Sequence, residues 1–284
     1  MAAKLRQLAL GVAYDFKPPR HLALPHLAWR LARHTFASRS ERGRLPEASA
    51  ALPGREGVAG YCDDMSVSTL RAAYLQGLYP CTHWGPVRWQ SPPLRAVLAI
   101  GELKLRDELR RKLRKRPFVV TFDTAPRAVM LACAQPRSGQ WPLTWITADV
   151  VDAYMAAFDE GMVHSVEVWD GDGRLIGGLF GTVAGTCFVL ESLFHTANNA
   201  SKYGLAVLLG HLHAWGFTHV DNKLQNAHTE SLGFKEVTRS AYVGLLRNAA
   251  ELPPPRAGAV HWSLDSTIDL GRWLPANGPP PAAR

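Results

Sequence analysis

The sequence predicts an α+β fold with a mainly antiparallel sheet. Strand-forming segments at 164–169 and 175–181 are joined by Asp170-Gly171-Asp172-Gly173, and a short Asp-Gly-rich link is typical of a β-hairpin. Apolar residues at helical spacing lie between further strand-like runs, and no fixed-period repeat is present. Mixed helices and strands, followed by a hairpin, a strand, a helix and a last strand, favour this fold class.

The other elements are predicted from spacing, capping residues and strand-forming side chains. Leu24, Leu27 and Leu31 lie at helical spacing and predict a short amphipathic helix near the N-terminus. Thr147 is a good N-cap for the helix that follows it, because Asp149 places an acidic side chain in the first turn. Further helices are predicted at 66–76, 124–134, 147–160 and 202–215, and further strands at 96–100, 118–122, 186–190 and 218–220.

Changes in composition along the chain predict four parts. Residues 1–56 are rich in Arg, Ala, His and Pro and end in a Ser/Arg/Glu/Gly/Pro-rich stretch, so we predict an accessory arm and linker. A smaller N-terminal α/β domain is predicted at 57–117, and the larger domain at 118–250. The last part, 251–284, is a C-terminal extension that we expect to fray after residue 274.

Charge and cysteine content narrow the function classes. The 284-residue chain has a formal net charge of +8 and a pI of about 9.5, so it attracts polyanions, above all nucleic acid. Its four cysteines lie far apart without a CxxC pair, which predicts reduced thiols and neither a zinc site nor a disulfide framework. No apolar stretch approaches the ~20 residues that span a bilayer, and no secretory signal is present. We therefore expect a cytoplasmic protein with no membrane partner.

Much of the positive charge is concentrated in residues 104–116. Leu105, Leu109 and Leu113 recur every four residues and predict a helix with one apolar stripe and a strongly cationic face. Phosphate contacts from such a face give affinity without reading base sequence. A solvated helix face is the alternative, but the density of cations favours RNA. The predicted RNA contacts are Lys104, Arg106, Arg110, Arg111, Lys112, Arg114, Lys115 and Arg116.

The most informative stretch runs from His164 to Gly233. It contains HSVEVWDGDGRLIGGLFG, FVLESLFHTANNASK and HVDNKLQNAHTESLGF, and upstream of it stand LRAAYLQGLYP and WQSPPLRAVL. In order and spacing, these motifs resemble the leucyl/phenylalanyl-tRNA–protein transferase family over roughly residues 57–250. The resemblance implies a small N-terminal domain followed by an acyltransferase domain of the GNAT type. It also implies transfer of Leu, Phe or Met from aminoacyl-tRNA to proteins that begin with Arg or Lys, with charged tRNA as co-substrate and no metal or organic cofactor.

The resemblance also assigns candidate site residues. Asp221 matches the family's catalytic aspartate, Glu191 matches a glutamate of its Gly-Glu-Ser-Met-Phe motif, and Lys223 stands at the family's glutamine. From the residues alone, Asp221 and Lys223 are two apart on a strand and therefore face the same way. The aminoacyl and adenosine pocket is implied to contain Trp89, Trp145, Leu179, Phe188, Leu193, Leu205 and Leu208, with the tryptophans as stacking faces for the terminal adenine. Motif positions expected to orient the substrate are Ser192, Asn199, Ser201, Lys202, Asn226 and His228.

Several positions depart from the family's pattern. Its Asp-Cys-Gln reads Asp-Asn-Lys at 221–223, its Gly-Glu-Ser-Met-Phe-Ser reads Leu-Glu-Ser-Leu-Phe-His at 190–195, and Gln90 replaces its second tryptophan. A charged lysine cannot accept the proton of the attacking amine, and we expect Asp221 to oppose the loss of that charge. Lys223 can instead stabilise the oxyanion that develops during transfer. It can also repel a cationic N-terminal residue and favour an acceptor with a carboxylate.

Three hypotheses follow. The leading one is a monomeric aminoacyl-tRNA-dependent transferase that forms a peptide bond with a protein's N-terminal amine, as in N-end-rule tagging. A non-standard peptide or a small-molecule amine is the alternative acceptor. An acyl-CoA-dependent N-acyltransferase needs a Q/R-x-x-G-x-G/A loop before a helix, which residues 199–204 do not supply. An inactive RNA-binding homologue is the third hypothesis, favoured by Lys223 at the proton-handling position.

Overall fold

The computed structural model describes residues 2–18, 20–105, 107–136, 142–252 and 260–268. Its helices are α1 (Ala2–Asp15), α2 (Leu24–Phe36), α3 (Arg39–Arg42), α4 (Val67–Leu75), α5 (Asp107–Lys115), α6 (Pro126–Cys133), α7 (Ala148–Asp159), α8 (Ala200–Ala214), α9 (Ala227–Ser231) and α10 (Arg239–Glu251). Its strands are β1 (Val58–Tyr61), β2 (Tyr79–Pro80), β3 (Arg88–Gln90), β4 (Leu94–Ala99), β5 (Val119–Phe122), β6 (Val163–Trp169), β7 (Leu175–Ala184), β8 (Cys187–His195), β9 (His219–Asp221) and β10 (Lys235–Thr238).

The larger sheet has seven strands in the order β10-β4-β9-β8-β7-β6-β5. The predicted Asp-Gly link joins β6 and β7 as an antiparallel hairpin. Within the described residues, β8 and β9 are the one parallel pair, and α8 provides the crossover that a parallel pair needs. The predicted α+β class with a mixed, mainly antiparallel sheet is therefore confirmed.

A smaller sheet of three antiparallel strands, ordered β1-β3-β2, lies in the part predicted as the smaller domain. The next strand along the chain, β4, leaves this part and pairs with β10 and β9 in the larger sheet. The larger sheet therefore contains a strand from before residue 117, where we predicted a boundary. The four-part division of the chain stays a prediction.

The N-terminal arm is helical and is anchored to the smaller sheet. Helix α2 confirms the predicted amphipathic helix, whereas α1, and α3 within the predicted linker, were not predicted. Asp15 is 4% exposed and accepts hydrogen bonds from both terminal nitrogens of Arg88, at 3.1 and 2.9 Å, and from the Trp84 indole at 3.0 Å. Gly11 permits this approach, because a Cβ there would lie 2.3 Å from the Trp84 ring.

Two other segments pack on the core of the larger sheet. Leu105, Leu109 and Leu113 are buried, which confirms the predicted apolar stripe, although α5 begins at Asp107 and not at residue 104. Near the C-terminus, the Trp262 ring stacks on His164 with ring centroids 3.6 Å apart. The end expected to fray after residue 274 lies outside the described residues. None of the described helices is both long and apolar enough to cross a bilayer.

Candidate active site

A cavity of about 700 Å³ brings together β2 and β3 of the smaller sheet with the middle of β8 and the loop after β9. Helix α1 and the chain after it contribute Tyr14 and Arg20 to its wall. A second cavity, of about 380 Å³, lies beside α2 and β1 and contains none of the predicted catalytic residues. The larger cavity is therefore the candidate active site.

The parallel register of β8 and β9 explains why two predicted residues meet in this cavity. Val189 is paired with Asp221, so Glu191 and Lys223, each two residues further on, lie beside one another. Lys223 Nζ donates hydrogen bonds to Glu191 Oε2 at 2.8 Å and to the Glu191 carbonyl oxygen at 3.1 Å. The lysine side chain is 12% exposed and the glutamate side chain 0%. The partner of the lysine is thus Glu191, which the sequence did not predict.

Buried tyrosines complete the surroundings of Glu191. Its Oε1 accepts a hydrogen bond of 2.6 Å from the Tyr74 hydroxyl, which lies 2.5 Å from the Tyr154 hydroxyl. Burial, and then the charge of Glu191, raise the pKa of Tyr74 well above its ordinary value. Tyr74 therefore remains a donor at neutral pH, and both oxygens of Glu191 are occupied.

Lys223 is held in place by its backbone and by aromatic rings. Its φ is +65°, in the left-handed region, and its backbone N–H donates to Asp221 Oδ1 at 2.8 Å. Its Nζ lies 5.2 Å from the Tyr79 ring centroid and 5.6 Å from that of Trp145, within the range of cation–π attraction. The ammonium is therefore fixed at the cavity wall.

Asp221 does not face the cavity together with Lys223, as the sequence predicted, because β9 ends at Asp221 and only Lys223 lines the cavity. Asp221 is 0% exposed and does not line the cavity. Arg95 forms a two-point ion pair with it through Nε and Nη2, and the Tyr242 hydroxyl donates to its Oδ2 at 3.0 Å. Burial lowers the pKa of Arg95, but the charge and hydrogen bonds of Asp221 together with Tyr242 and Tyr79 raise it above its ordinary value. Asp221 can therefore position Lys223 but cannot touch a substrate in this arrangement.

The predicted pocket residues fall into two groups. Trp145, Leu193 and Leu205 line the cavity. The others lie in the core with 0% exposure and do not line it: Trp89, Leu179, Phe188 and Leu208. The Trp89 indole donates to the Cys62 carbonyl oxygen at 3.1 Å, so the ring is fixed away from the cavity. Of the two tryptophans, only Trp145 is placed to stack against a substrate.

The predicted motif residues divide in the same way. Ser192, Asn226 and His228 line the cavity, and the Asn226 side chain caps α9 by accepting from the backbone N–H groups of His228 and Thr229. Asn199 is the N-cap residue that precedes α8, and its side chain donates to Glu108 Oε1 at 3.1 Å. The last two, Ser201 and the exposed Lys202, lie in the first turn of α8 outside the cavity lining.

The cationic face of α5, the predicted RNA-binding helix, is exposed as expected. Arg111, Arg114, Lys115 and Arg116 are exposed, as is Lys104 before the helix. Lys112 pairs with Glu108 at 3.4 Å, and Arg110 donates to the Leu105 carbonyl oxygen at 3.1 Å. The remaining predicted contact, Arg106, lies outside the described residues.

Several residues of the site were missed by the sequence reasoning. Arg95 and Tyr74 both lie inside quoted motifs, WQSPPLRAVL and LRAAYLQGLYP, so a signal for them existed. Tyr242 and the arm residues Tyr14 and Arg20 carried no local signal, because only the tertiary fold brings them to the site. Nucleophilic chemistry by a thiol is not favoured here: burial and the nearby Glu56 raise the pKa of Cys81 to about 12.

None of the four cysteines lies in a disulfide in the structure. Among the described residues, no group of three or more His, Cys, Asp or Glu side chains is placed to hold a metal ion. The cavity thus offers an ammonium, a paired carboxylate and apolar side chains. Such a set can orient an ester carbonyl and stabilise negative charge on its oxygen.

Comparison with known proteins identifies the family. A family model described as leucyl/phenylalanyl-tRNA protein transferase matches residues 97–247, which include Glu191, Asp221 and Lys223. The chain belongs to this family. A leucyl/phenylalanyl-tRNA–protein transferase of Pseudomonas fluorescens (strain SBW25) is 40% identical over 210 residues, covering 74% of this chain and 92% of the relative. That of Burkholderia ambifaria (strain MC40-6) is 41% identical over 221 residues, covering 76% and 84%.

Among solved structures, the chain is similar to one titled "The structure of L-PGS from Bacillus licheniformis". The two share 7% sequence identity with a TM-score of 0.36, over 57% of this chain and 66% of the other. A likeness this weak carries no argument about the site.

Proposed function

We propose that this protein transfers a hydrophobic aminoacyl group, leucyl or phenylalanyl, from charged tRNA to the N-terminal amine of a protein. Membership of the family is the observation that carries the proposal. The apolar side chains of Trp145, Leu193 and Leu205 in the cavity wall are suited to a side chain of that kind. We place the reaction in the cytoplasm, where charged tRNA is available, and propose that the chain acts as a monomer without a further cofactor.

In this proposal the basic helix α5 holds the tRNA. Its exposed cations would contact backbone phosphates, which provide affinity that depends on salt and not on base sequence. Trp145 would stack on the terminal adenine, since base–aromatic stacking is worth roughly 1–3 kcal/mol. These contacts bring the aminoacyl ester to the cavity and fix its carbonyl group for attack.

Lys223 supplies the electrostatic part of the mechanism. An ammonium has three N–H donors, and the described contacts of Lys223 use two of them on Glu191, so the third serves the ester carbonyl oxygen. The acceptor's neutral amine attacks the carbonyl carbon, and the N–C bond forms while negative charge collects on that oxygen. The bond from carbon to the ribose oxygen then breaks, and the proton lost by the amine ends on that ribose oxygen.

The test is transfer of radiolabelled leucine or phenylalanine from charged tRNA to a set of peptides. We expect label in a peptide with a free N-terminus and none in the same peptide after N-acetylation. Uncharged tRNA with free labelled amino acid serves as the second control. Equal labelling of the acetylated peptide, or no labelling of any peptide, would contradict the proposal.

A further inference from the structure

The positive charge of the chain is concentrated in two segments. Residues 1–56 contain ten Lys and Arg against four Asp and Glu, and residues 104–116 contain eight against two, so each segment has a net charge of +6. Because the whole chain has +8, the remainder is net −4. The second segment contains the predicted RNA-binding helix. The first is the N-terminal arm, and its charge needs a polyanionic partner as much as that of α5 does.

One face of α2 in this arm is aromatic and cationic. Trp29, Arg33 and Phe36 are spaced four and three residues apart and therefore share a face of the helix. Trp29 is 62% exposed, Phe36 is 89% exposed, and Arg33 is exposed with its guanidinium carbon 5.8 Å from the centroid of the Trp29 ring. The two carboxylates of the adjoining 380 Å³ cavity, Glu41 and Glu47, each accept from a serine hydroxyl. A base can stack on the exposed ring while a phosphate binds the guanidinium beside it.

Other side chains of α2 fix this face relative to the rest of the protein. His34 Nε2 lies 3.0 Å from Asp63 Oδ1. The Arg30 guanidinium donates to the carbonyl oxygens of Val58 at 3.2 Å and Ala50 at 2.7 Å. The exposed ring and cation are therefore presented by an ordered helix, and a ligand that binds them does not have to order the arm first.

The arm also borders the candidate active site. Tyr14 and Arg20 line the 700 Å³ cavity, whereas its described lining includes nothing from 104–116. Arg20 Nη2 donates to the Tyr14 hydroxyl at 2.8 Å, which fixes this edge of the wall. Helix α2 begins four residues after Arg20, and its 13 residues extend about 20 Å. An RNA strand whose end lies in the cavity can therefore stay in contact with the arm as it leaves the cavity.

We propose that the face of α2 formed by Trp29, Arg33 and Phe36 is a second tRNA-binding surface, which contacts the single-stranded 3′ end of the tRNA behind its aminoacyl group. The inference rests on the proposed function and adds the path of the RNA. Trp29 stacks on a base and Arg33 binds a neighbouring phosphate. Exposed aromatic rings favour a single strand, because the bases of a duplex are already stacked on one another.

The experiment measures binding of labelled, uncharged tRNA to the full chain by fluorescence anisotropy at 50–200 mM salt. Trp29→Ala should weaken binding about tenfold without changing the slope of log K against log salt, because stacking releases no counterions. Arg33→Gln should weaken binding several-fold and reduce that slope by about 1 at most. With a tRNA from which the single-stranded 3′ end has been removed, the parent and Trp29→Ala should bind equally.

Each variant has a matched control on the surface of the larger sheet. Arg174→Gln, in the β6–β7 hairpin with its side chain 73% exposed, controls for the loss of one positive charge. Leu131→Ala on α6 controls for the loss of an exposed apolar side chain. Both controls should bind intact tRNA with the parent affinity and the parent salt slope.

The outcomes separate this inference from the proposed function. Parent-like binding by both Trp29→Ala and Arg33→Gln overturns the inference and leaves the transferase standing. An equal loss of affinity in Trp29→Ala for the intact and the shortened tRNA overturns the assignment to the 3′ end. A parent chain that binds tRNA through this face but labels no peptide leaves the surface standing and contradicts the proposed function.

Vesicles that contain an anionic lipid serve as a second probe, because an exposed apolar and cationic helix face also suits a membrane surface. We expect no association of the parent chain with them at 150 mM salt. Association that is lost in Trp29→Ala, while tRNA binding is unchanged, would assign the face to a membrane and overturn the inference.

Discussion

Glu191, in the middle of β8, and Asp221, at the end of β9, are both buried carboxylates on neighbouring strands, yet their surroundings differ. Asp221 is enclosed by Arg95, Tyr242 and a backbone N–H, with no access to the cavity. Glu191 is paired with Lys223, whose ammonium lies at the cavity wall. One ion pair is sealed in the core and the other is open to a substrate. The family resemblance predicted a catalytic role for both residues. Their partners in the structure show which ion pair is buried in the core and which lies at the cavity.

The largest expected effect concerns the sealed pair. Asp221→Ala leaves Arg95, 1% exposed, as an unpaired buried charge, so the free energy of unfolding should fall by about 3–5 kcal/mol. Urea unfolding followed by circular dichroism measures this. Asp172→Ala, in the exposed hairpin, is the control and should change stability by less than about 0.5 kcal/mol.

A double variant distinguishes loss of a partner from loss of a function. Asp221→Leu combined with Arg95→Met removes both charges and should recover part of the lost stability. If Asp221→Ala instead abolished transfer and left the unfolding free energy unchanged, the assignment of a structural role would be wrong.

The open pair should show the opposite pattern. Lys223→Met removes the proposed oxyanion donor, so the single-turnover transfer rate should fall by about 10²-fold. Lys223→Met alone also leaves the buried Glu191 carboxylate without its cation, so stability is compared in Lys223→Met combined with Glu191→Gln, which should be destabilised far less than Asp221→Ala. Lys235→Met, whose lysine pairs with Glu102 on the surface with its side chain 67% exposed, is the matched control and should transfer at the parent rate.

A third prediction uses the tyrosines beside each carboxylate. Burial and then the charge of Glu191 raise the pKa of Tyr74, and burial and then the charge of Asp221 raise that of Tyr242. A raised phenol pKa gives stability that is complete below pH 10, where the unfolded tyrosine titrates, and is lost as the pH rises toward the folded value. The unfolding free energy should therefore fall above pH 10, on the order of 1 kcal/mol per pH unit for each tyrosine.

Urea unfolding at pH 9, 10 and 11 measures this loss. Tyr154→Phe removes a third buried phenol, whose pKa is raised by burial and then by Glu191, and should make the loss less steep. A stability that stayed constant between pH 9 and 11 would show that these hydroxyls are not held in their protonated form.

The smallest expected effect comes from fully exposed charges, which contrast with both buried pairs. Arg111→Gln and Arg114→Gln on α5 should each weaken tRNA binding several-fold and reduce the slope of log K against log salt by about 1 at most. Binding titrations at 50–200 mM salt would measure both quantities. Arg127→Gln on α6 is the exposed control. Loss of affinity without a change in slope would argue against phosphate contacts.

Much of the larger sheet was predictable because its signals are local. The Asp-Gly link identified the β6–β7 hairpin, and Thr147 accepts from the Val150 N–H as the predicted N-cap. The leucine spacing of α5 identified its buried face. The order of the strands in the sheet carried no such local signal, because β4 pairs with β9, which is more than 100 residues away in sequence.

The candidate site was predicted in part. The motif residues Glu191 and Lys223 could be named, but their mutual pairing follows from the parallel register of β8 and β9. Asp221 is enclosed by Arg95, which is 126 residues away in sequence. The N-terminal arm is held at the cavity wall by the contact between Asp15 and Arg88, which are 73 residues apart. Contacts at such separation cannot be read from periodicity or capping.

The left-handed backbone at Lys223 has a consequence for how this position can change. A non-glycine residue at φ +65° is disfavoured by on the order of 1 kcal/mol, and Asn or Gly would fit there with less strain. Lys223→Gly would relieve that strain but leave the buried Glu191 carboxylate without its cation, so we expect it to lower both the stability and the transfer rate. The strained backbone at residue 223 is thus maintained by the ion pair that its side chain makes, and the same contact holds the ammonium at the cavity wall.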